Sequence, residues 1–396
     1  MRTGQFDCLI IGGGVTGLAV ALRLADAGMR VAVIERHHLG AGATTHNHGL
    51  LHSGALYVRW HPEIVRDCFD GQAAFRASFP GCLSSVDTCW YIGSPATLGI
   101  YRPLWRNHGL HSRRVDPAQL GEVLTVTDLG QIVGYAVPES VIDSHALITE
   151  LADRAAAAGV ELIVGADTTD LVIGNGRVRG VQTSTLALQA PQVVVCAGIG
   201  TRSLLERSGS TVAKELTSRL ETMMAFPGRL STAVIGLEFG WPFLAPSTTG
   251  RAVLASRYGA PQRFVQGEAD WPVPVGEISA LIGDLGTRLR PGLLDLEAGV
   301  AWVGAKTEHP TGSDQWGTSP NYAVIDHQAR DGIAGWWTVL PGKMTLALHA
   351  SRRVAAAITG TQYDLELPAP GHAGPRTVEN LVAVTPWSAH EEVSAA

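Results

Sequence analysis

The sequence predicts an α/β chain, and three observations carry that prediction. Residues 6 to 36 read as strand, glycine turn, helix and strand in immediate succession. Residues 191 to 207 repeat the change from apolar run to glycine turn to helical pattern. The length, 396 residues, suffices for roughly two or three domains with sizeable cores.

In the opening unit, Phe6 to Ile11 is an unbroken apolar run of strand length, and Gly12, Gly14 and Gly17 follow in G-x-G-x-x-G spacing. Val15 to Ala27 has helical periodicity, Gly28 stops it, and Val31 to Ile34 forms a second buried strand closed by Glu35. An acidic residue about 20 positions after the glycines completes the dinucleotide-binding pattern. Gly12 permits the tight turn, Gly14 lets the backbone approach a pyrophosphate, and Gly17 lets the helix pack closely on the sheet. The N–H groups at the helix start, at Val15 and Thr16, attract phosphate. Glu35 suits the adenosine ribose, and only Arg36 is placed to neutralise a 2′-phosphate.

Composition narrows the function. A net charge of -6 and a pI near 6.2 leave no basic footprint for nucleic acid. The five cysteines, Cys8, Cys68, Cys82, Cys89 and Cys196, are too scattered for a disulfide framework, although Cys82 and Cys89 could pair. Met1 to Gln5 leads straight into the first strand, and the apolar segment after it carries Arg23 and Asp26. The expectation is a cytoplasmic protein with no membrane insertion.

Residues 37 to 57, HHLGAGATTHNHGLLHSGALY, are too rich in Gly, Thr and His for core. His61-Pro62-Glu63 opens a helix that Pro80-Gly81 stops, Thr88 to Ile92 is a strand, and Ser94-Pro95 starts a short helix. Asp143 caps a helix through Ala158, ended by Gly159, and Asn175-Gly176 joins Asp170–Ile173 to Arg177–Val181 as a hairpin. Pro191 to Cys196 is a buried strand, followed by a turn carrying Gly198 and Gly200. A helix spans Glu277 to Leu289, stopped by Pro291. Strand Trp336 to Leu340 runs through Pro341-Gly342-Lys343 into a last helix, whose N-terminal N–H groups suit an anion. From Pro368 onward the chain is polar and aperiodic, and reads as a loosely attached tail.

The segment NHGLLHSGALY, Asn47 to Tyr57, resembles the corresponding loop of the FAD-dependent D-amino acid oxidase superfamily, in its glycerol-3-phosphate dehydrogenase and L-2-hydroxyglutarate dehydrogenase branch. Residues 197 to 206 and 322 to 358 are similar to that superfamily's second glycine loop and closing segment. The resemblance implies a Rossmann-type FAD-binding domain from 1–70, 141–215 and 318–365, and a mixed β-sheet substrate domain from 71–140 and 216–317, leaving 366–396 as the tail. It implies that Gly12, Gly14, Val15, Thr16, Gly17, Glu35 and Arg36 hold the ADP half of FAD. Thr44, Thr45, His46, Asn47, His48, Gly49 and Leu50, with Gly198, Gly200, Gly342, Lys343 and Met344, would lie along the rest of the cofactor.

The expected chemistry is removal of hydride from a CH–OH group of a hydroxy acid, polyol, sugar or cyclitol, with His48 or His52 as base. Oxidation of a CH–NH bond in an amine or amino acid is the alternative. His46 stands where the similar dimethylglycine and sarcosine dehydrogenases carry the histidine that binds FAD covalently, so a covalent link through His46 is expected as one form of the cofactor. No metal is expected at His46, His48 and His52, because the loop offers no supporting carboxylate. The glycerol-phosphate branch has an arginine before the tyrosine of this loop and a second in the segment AWVGAKTE. Here these are Leu56 and Lys306. Phosphate is thereby disfavoured, with Lys306 left to pair a single anionic group. The resemblance does not include the extra C-terminal region of the membrane-linked enzymes, so oxygen or a soluble carrier is the expected electron acceptor.

Overall fold

The structure, a computed structural model, describes residues 5–125, 131–238, 240–257, 263–265, 271–309, 321–368 and 378–392. Strand β1 (Cys8–Ile11), helix α1 (Val15–Asp26) and strand β2 (Val31–Ile34) stand where the apolar periodicity puts them. The strands run parallel, with Cys8 beside Val31, and Gln192–Val195 lies parallel on the other side of β1. Glu161–Ile163 extends the sheet beyond β2, while Trp336–Leu340 and the antiparallel Ala323–Asp326 extend it the other way. Both faces are covered, which is why Cys8–Ile11 and Val31–Ile34 are apolar at every position rather than alternating, and Gln192–Val195 at all but its first.

Helix α1 packs with Ser144–Ala157 and Ala347–Thr359 on one face, burying Leu18, Leu147, Leu151 and Val354 with Val33 and Val194. The other face holds Leu9, Val193 and Trp336 against Val178, Val181 and Leu205. Val178 and Val181 belong to the expected hairpin, Thr168–Gly174 with Arg177–Thr183, whose turn residues Asn175 and Gly176 have φ of 53° and 69°. Asp143 caps its helix by accepting from the Ala146 N–H at 2.9 Å. The helix expected from His61 begins as a 3-10 turn, Pro62–Ile64, before the α-helix Val65–Ser78. The helix expected at Glu277 starts two residues earlier, at Val275, and ends at Arg288.

A second, larger sheet is mixed. Its longest strand, Thr217–Pro227, pairs antiparallel with Val300–Glu308 over the full length of the latter, and with Ala252–Arg257. Pro242–Pro246, Ala233–Gly236, Thr88–Gly93 and Val133–Pro138 continue it in that order. The parallel pairing of Ala233–Gly236 with Thr88–Gly93 joins the two stretches of chain that build this sheet.

Two expectations change. The described part of the end segment is docked, not loose: Val378 and Val382 are buried, Leu39 exchanges backbone hydrogen bonds with Leu381 and Ala383, and Trp387 packs against Trp302, tilted, at 5.2 Å. Buried Arg23 also anchors the preceding stretch, donating to the carbonyls of Asp364 at 2.7 Å and Leu365 at 2.6 Å. Residues 369–377 and 393–396 of the expected tail lie outside the described residues. All five cysteines are free; Cys82 Sγ donates to Glu150 at 3.3 Å instead of bonding Cys89. Among the described residues no helix is long and apolar enough to cross a membrane.

Gly17 marks the tightest point of the first unit, since a Cβ there would lie 2.0 Å from the Gly12 carbonyl oxygen. Gly17→Ala should therefore lower stability by about 1–3 kcal/mol through overpacking. A urea denaturation midpoint equal to that of the parent chain would contradict the close approach.

Candidate active site

The glycine turn, the loop 40–57, the turn at 197–199, the Pro341–Met344 segment and the strands Thr217–Pro227 and Val300–Glu308 all border one cavity of about 470 Å³. Of the residues expected to touch cofactor or substrate, all but Gly17, Thr45, His46, Gly49 and Gly200 line it. Gly17 packs α1 on the sheet, and Gly200 caps the helix Thr201–Arg207. Thr45 donates to the Gly40 carbonyl at 2.9 Å, and Gly49 has φ of 67° where a Cβ would meet the Ile142 carbonyl at 2.7 Å. These four shape the loops rather than the cavity wall.

At one end of the cavity Gly14 caps α1 without any side-chain hydrogen bond, so the helix start presents backbone N–H groups. Thr44 Oγ1 accepts from the Val15 N–H at 3.2 Å and would lie 3.1 Å from a Cβ on Gly14. The Glu35 carboxylate accepts from the N–H groups of Gly13 at 2.8 Å and His37 at 3.0 Å, which fixes it at the end of β2. A side-chain-free turn, an open helix start and a fixed carboxylate fit the ADP half of FAD. His46 does not face this space. Its Nδ1 lies 3.2 Å from both Thr45 Oγ1 and the Gly42 carbonyl.

At the other end, two histidines meet a group of charges. His48 Nε2 is 2.7 Å from Ser256 Oγ and 3.8 Å from Glu221, and its ring packs on Phe243 at 4.4 Å. His52 is set edge-on to Tyr57 at 5.4 Å, and its backbone N–H donates to Thr345 Oγ1 at 3.0 Å. Its Nδ1 is buried with no hydrogen-bond partner, 3.8 Å from the Glu139 carboxyl. Burial pushes both rings toward the neutral form: His48 falls below its ordinary value, opposed by Glu221, and His52 falls to about 3, with Lys343 adding to the effect.

Facing them, Arg219 and Lys306 are directly opposed across the strand pair, and both reach Glu308, at 3.3 and 2.7 Å. Burial pushes the Glu308 carboxyl up, but Lys306, Arg219 and Lys343 outweigh it and hold it at about 2. Glu221 is likewise held below the usual carboxylate range, the four surrounding cationic or basic groups outweighing burial. Lys343 sits 4.7 Å over the Tyr57 ring, and burial, with Lys306 and Arg219 beside it, drives its ammonium far down. Among the described residues no group of three or more His, Cys, Asp or Glu is arranged to hold a metal ion.

Arg219, Glu221, Glu308, Ser256 and Phe243 escaped the sequence reading. A faint signal exists for four of the charges: Arg219 with Glu221, and Lys306 with Glu308, are spaced by two within strands and so share a face. Nothing local marks Ser256 or Phe243.

Glu308 yields a stability prediction. Its carboxyl titrates at about 2 rather than 4.5, so it favours the folded chain above the ordinary carboxylate range, and that contribution disappears as pH falls from about 4.5 to about 2. Glu308→Gln should be less stable than the parent by roughly 2–5 kcal/mol at neutral pH, because two cations lose a buried partner. The gap should shrink through that acidic window; a gap independent of pH would refute the assignment.

Residues 7–360 match the model of the family described as FAD dependent oxidoreductase. One subunit of the anaerobic glycerol-3-phosphate dehydrogenase of Escherichia coli (strain K12) is 25% identical over 403 residues, covering 96% of this chain and 73% of that protein. The L-2-hydroxyglutarate dehydrogenase of Salmonella houtenae is 29% identical over 223 residues, 52% of this chain and 50% of that one. The crystal structure of glycine oxidase from Geobacillus kaustophilus superimposes with a TM-score of 0.71 at 20% identity, covering 93% of this chain and 99% of that one, and so shares the fold. The glycine turn, the cavity and the match over nearly the whole chain agree: this protein belongs to the family of FAD-dependent oxidoreductases.

Proposed function

We propose that this oxidoreductase converts a secondary CH–OH group to a carbonyl in a small substrate that carries an anionic group. The observation that carries the reading is the placing of two uncharged imidazoles, His48 and His52, across one cavity from Arg219 and Lys306. An alcohol must surrender its hydroxyl proton as its C–H bond breaks, and a neutral imidazole can take it.

His52 is the base in this reading. His48 already has Nε2 committed to Ser256, with Glu221 nearby, and holds the substrate in place. Arg219 and Lys306 bind the substrate's carboxylate or phosphate, where an added negative charge relieves the crowding of cations around Lys343. Sequence alone disfavours phosphate through Leu56 and Lys306; Arg219 supplies a guanidinium that the loop itself lacks. The two relatives, named for glycerol-3-phosphate and L-2-hydroxyglutarate, support a hydroxyl-bearing anion. Gly12, Gly14, Glu35 and Thr44 would hold the ADP half of FAD, and Gly198, Gly342 and Lys343 the flavin half. FAD, when bound, supplies the two-electron acceptor for the oxidation. With the His46 ring turned to Thr45 and Gly42, the cofactor is held without a covalent bond.

Anaerobic addition of single compounds to the FAD-loaded protein tests the reading, with the flavin's visible absorption as readout. Hydroxy acids or polyol phosphates should bleach it. Bleaching by amines alone would replace this proposal with CH–NH oxidation, and bleaching by neutral polyols alone would remove the anion site. His52→Gln should slow bleaching by about 10²- to 10⁴-fold. Arg219→Ala should act mainly on KM. Acid precipitation should leave all the flavin in the supernatant; a yellow pellet would restore the covalent link through His46.

A further inference from the structure

Glu139 has no part in the scheme above, yet it is a deeply enclosed carboxyl beside the site, 1% exposed in the step between the strands Val133–Pro138 and Ser140–Val141. Three donors fix it. Tyr91 OH donates to Oε1 at 2.6 Å, Ser53 Oγ donates to Oε1 at 3.1 Å, and the Ser53 N–H donates to Oε2 at 2.9 Å. A carboxylate has about four acceptor positions, so one remains. The nearest unsatisfied donor is Nδ1 of His52, buried, without a partner and 3.8 Å from Oε2. A shift of about 1 Å closes that gap to hydrogen-bond distance.

We infer that Glu139 is a positioning residue for the base: its carboxylate, held from behind by Tyr91 and Ser53, takes the Nδ1–H of His52 and leaves Nε2 of that ring as the proton acceptor toward substrate. The inference rests on the reading of His52 as base. The backbone supports the same orientation. His52 donates its own N–H to Thr345 Oγ1, and the next residue, Ser53, contacts both Glu139 oxygens, so the loop is pinned on both sides of the ring. In the reaction the substrate O–H bond breaks, its proton goes to Nε2, and its electron pair becomes the second bond of the carbonyl as the C–H pair leaves to the bound two-electron acceptor. Nδ1 keeps its proton throughout. The imidazolium so formed lies against the Glu139 negative charge, which offsets the burial that otherwise opposes it.

The arrangement has a pH signature. Burial raises the Glu139 carboxyl to about 7 against the pull of Tyr91 and Ser53. The groups facing it are Tyr57 from the loop, Cys68 from the helix Val65–Ser78, Cys89 and Tyr91 from the strand Thr88–Gly93, and His52. Burial pushes Cys68 up to about 12 and raises Tyr57, Cys89 and Tyr91 well above their ordinary values, so all four stay protonated near neutrality. A protonated Glu139 offers no charge to an imidazolium, so kcat/KM should rise as pH increases through about 7. Lys343, also near the base and pushed downward, would lose its charge with rising pH, which removes a repulsion from the imidazolium and works in the same direction.

Two measurements on the FAD-loaded full chain test this. Nitrogen-15 NMR of labelled histidines above neutral pH, with His52→Gln assigning the resonance, should show the Nδ1–H tautomer at His52, and Glu139→Gln should shift it toward Nε2–H. This readout needs no substrate, so it stands or falls apart from the proposed reaction, whose own failure shows as bleaching unaffected by His52→Gln. In kinetics, Glu139→Gln should lower kcat by roughly 10- to 100-fold and abolish the rise near neutral pH. Tyr91→Phe, which removes one donor to the carboxylate and keeps the packing, should move that rise to higher pH. An Nε2–H tautomer in the parent protein, a tautomer unchanged in Glu139→Gln, or a pH rise left in place by both variants would overturn the inference and leave Glu139 as a fastener of the loop.

Discussion

Crowding of ionisable groups, several of them buried, around the space between the two sheets is the constraint on which this site depends. His48, His52, Glu308 and Lys343 are displaced in the direction that burial or their neighbours dictate. The imidazoles of His48 and His52 are kept neutral, and Glu308 is kept ionised only because Lys306 and Arg219 reach it. The same physics that makes a lone charge costly there makes a paired or transferred one effective, because an interaction between charges strengthens as solvent is removed.

The two ends of the cavity solve their recognition problems with different chemistry. The nucleotide end uses backbone: an uncapped helix start at Gly14, and a Glu35 carboxylate pinned by two N–H groups. Backbone donors come with the strand–turn–helix geometry and need only small side chains around them. The substrate end uses side chains set on two long paired strands, where Arg219 stands opposite Lys306 and Thr217 opposite Glu308. On the proposed function its specificity would depend on register, since a slip of one residue would turn every one of those charges to the other face.

That difference explains what could be read from the chain alone. The first unit is local: about thirty consecutive residues carry their own strand, turn, helix and acidic terminus, so its position was legible from spacing, as were the Asn175-Gly176 hairpin and the Asp143 cap. The substrate end is assembled from residues 48, 52, 219, 221, 306 and 308, and only pairing in three dimensions brings them together. The histidines stood out because they interrupt a glycine-rich loop, whereas Arg219 and Glu221 lie in a strand whose ends carry no turn signal specific to a site. Glu139 was invisible for a further reason: beside Pro138 and ahead of Ser140 it reads as an exposed loop acid, and only the fold encloses it. The docked end segment was misread because its buried residues, Val378, Val382 and Trp387, are too widely spaced to form a period; they fill niches beside Leu39 and Trp302.

The balance of charge bears on the choice between hydroxyl and amine. An ammonium substrate would enter a space already holding Arg219, Lys306 and Lys343, where burial, with Lys306 and Arg219 beside it, pushes Lys343 far down. Before it could give up hydride it would have to lose a proton, and burial leaves both imidazoles reluctant to become charged unless a carboxylate stands behind them. A hydroxyl compound enters uncharged at the reacting carbon and brings its negative charge to the cations instead. Each half of such a molecule meets the environment that suits it: the anion meets Arg219 and Lys306, and the hydroxyl meets neutral nitrogen. On the proposed function the site would discriminate through charge as much as through shape, and Leu56, standing where the resembling branch has an arginine, would leave the anionic contact to the strand side of the cavity, where Arg219 and Lys306 already share Glu308.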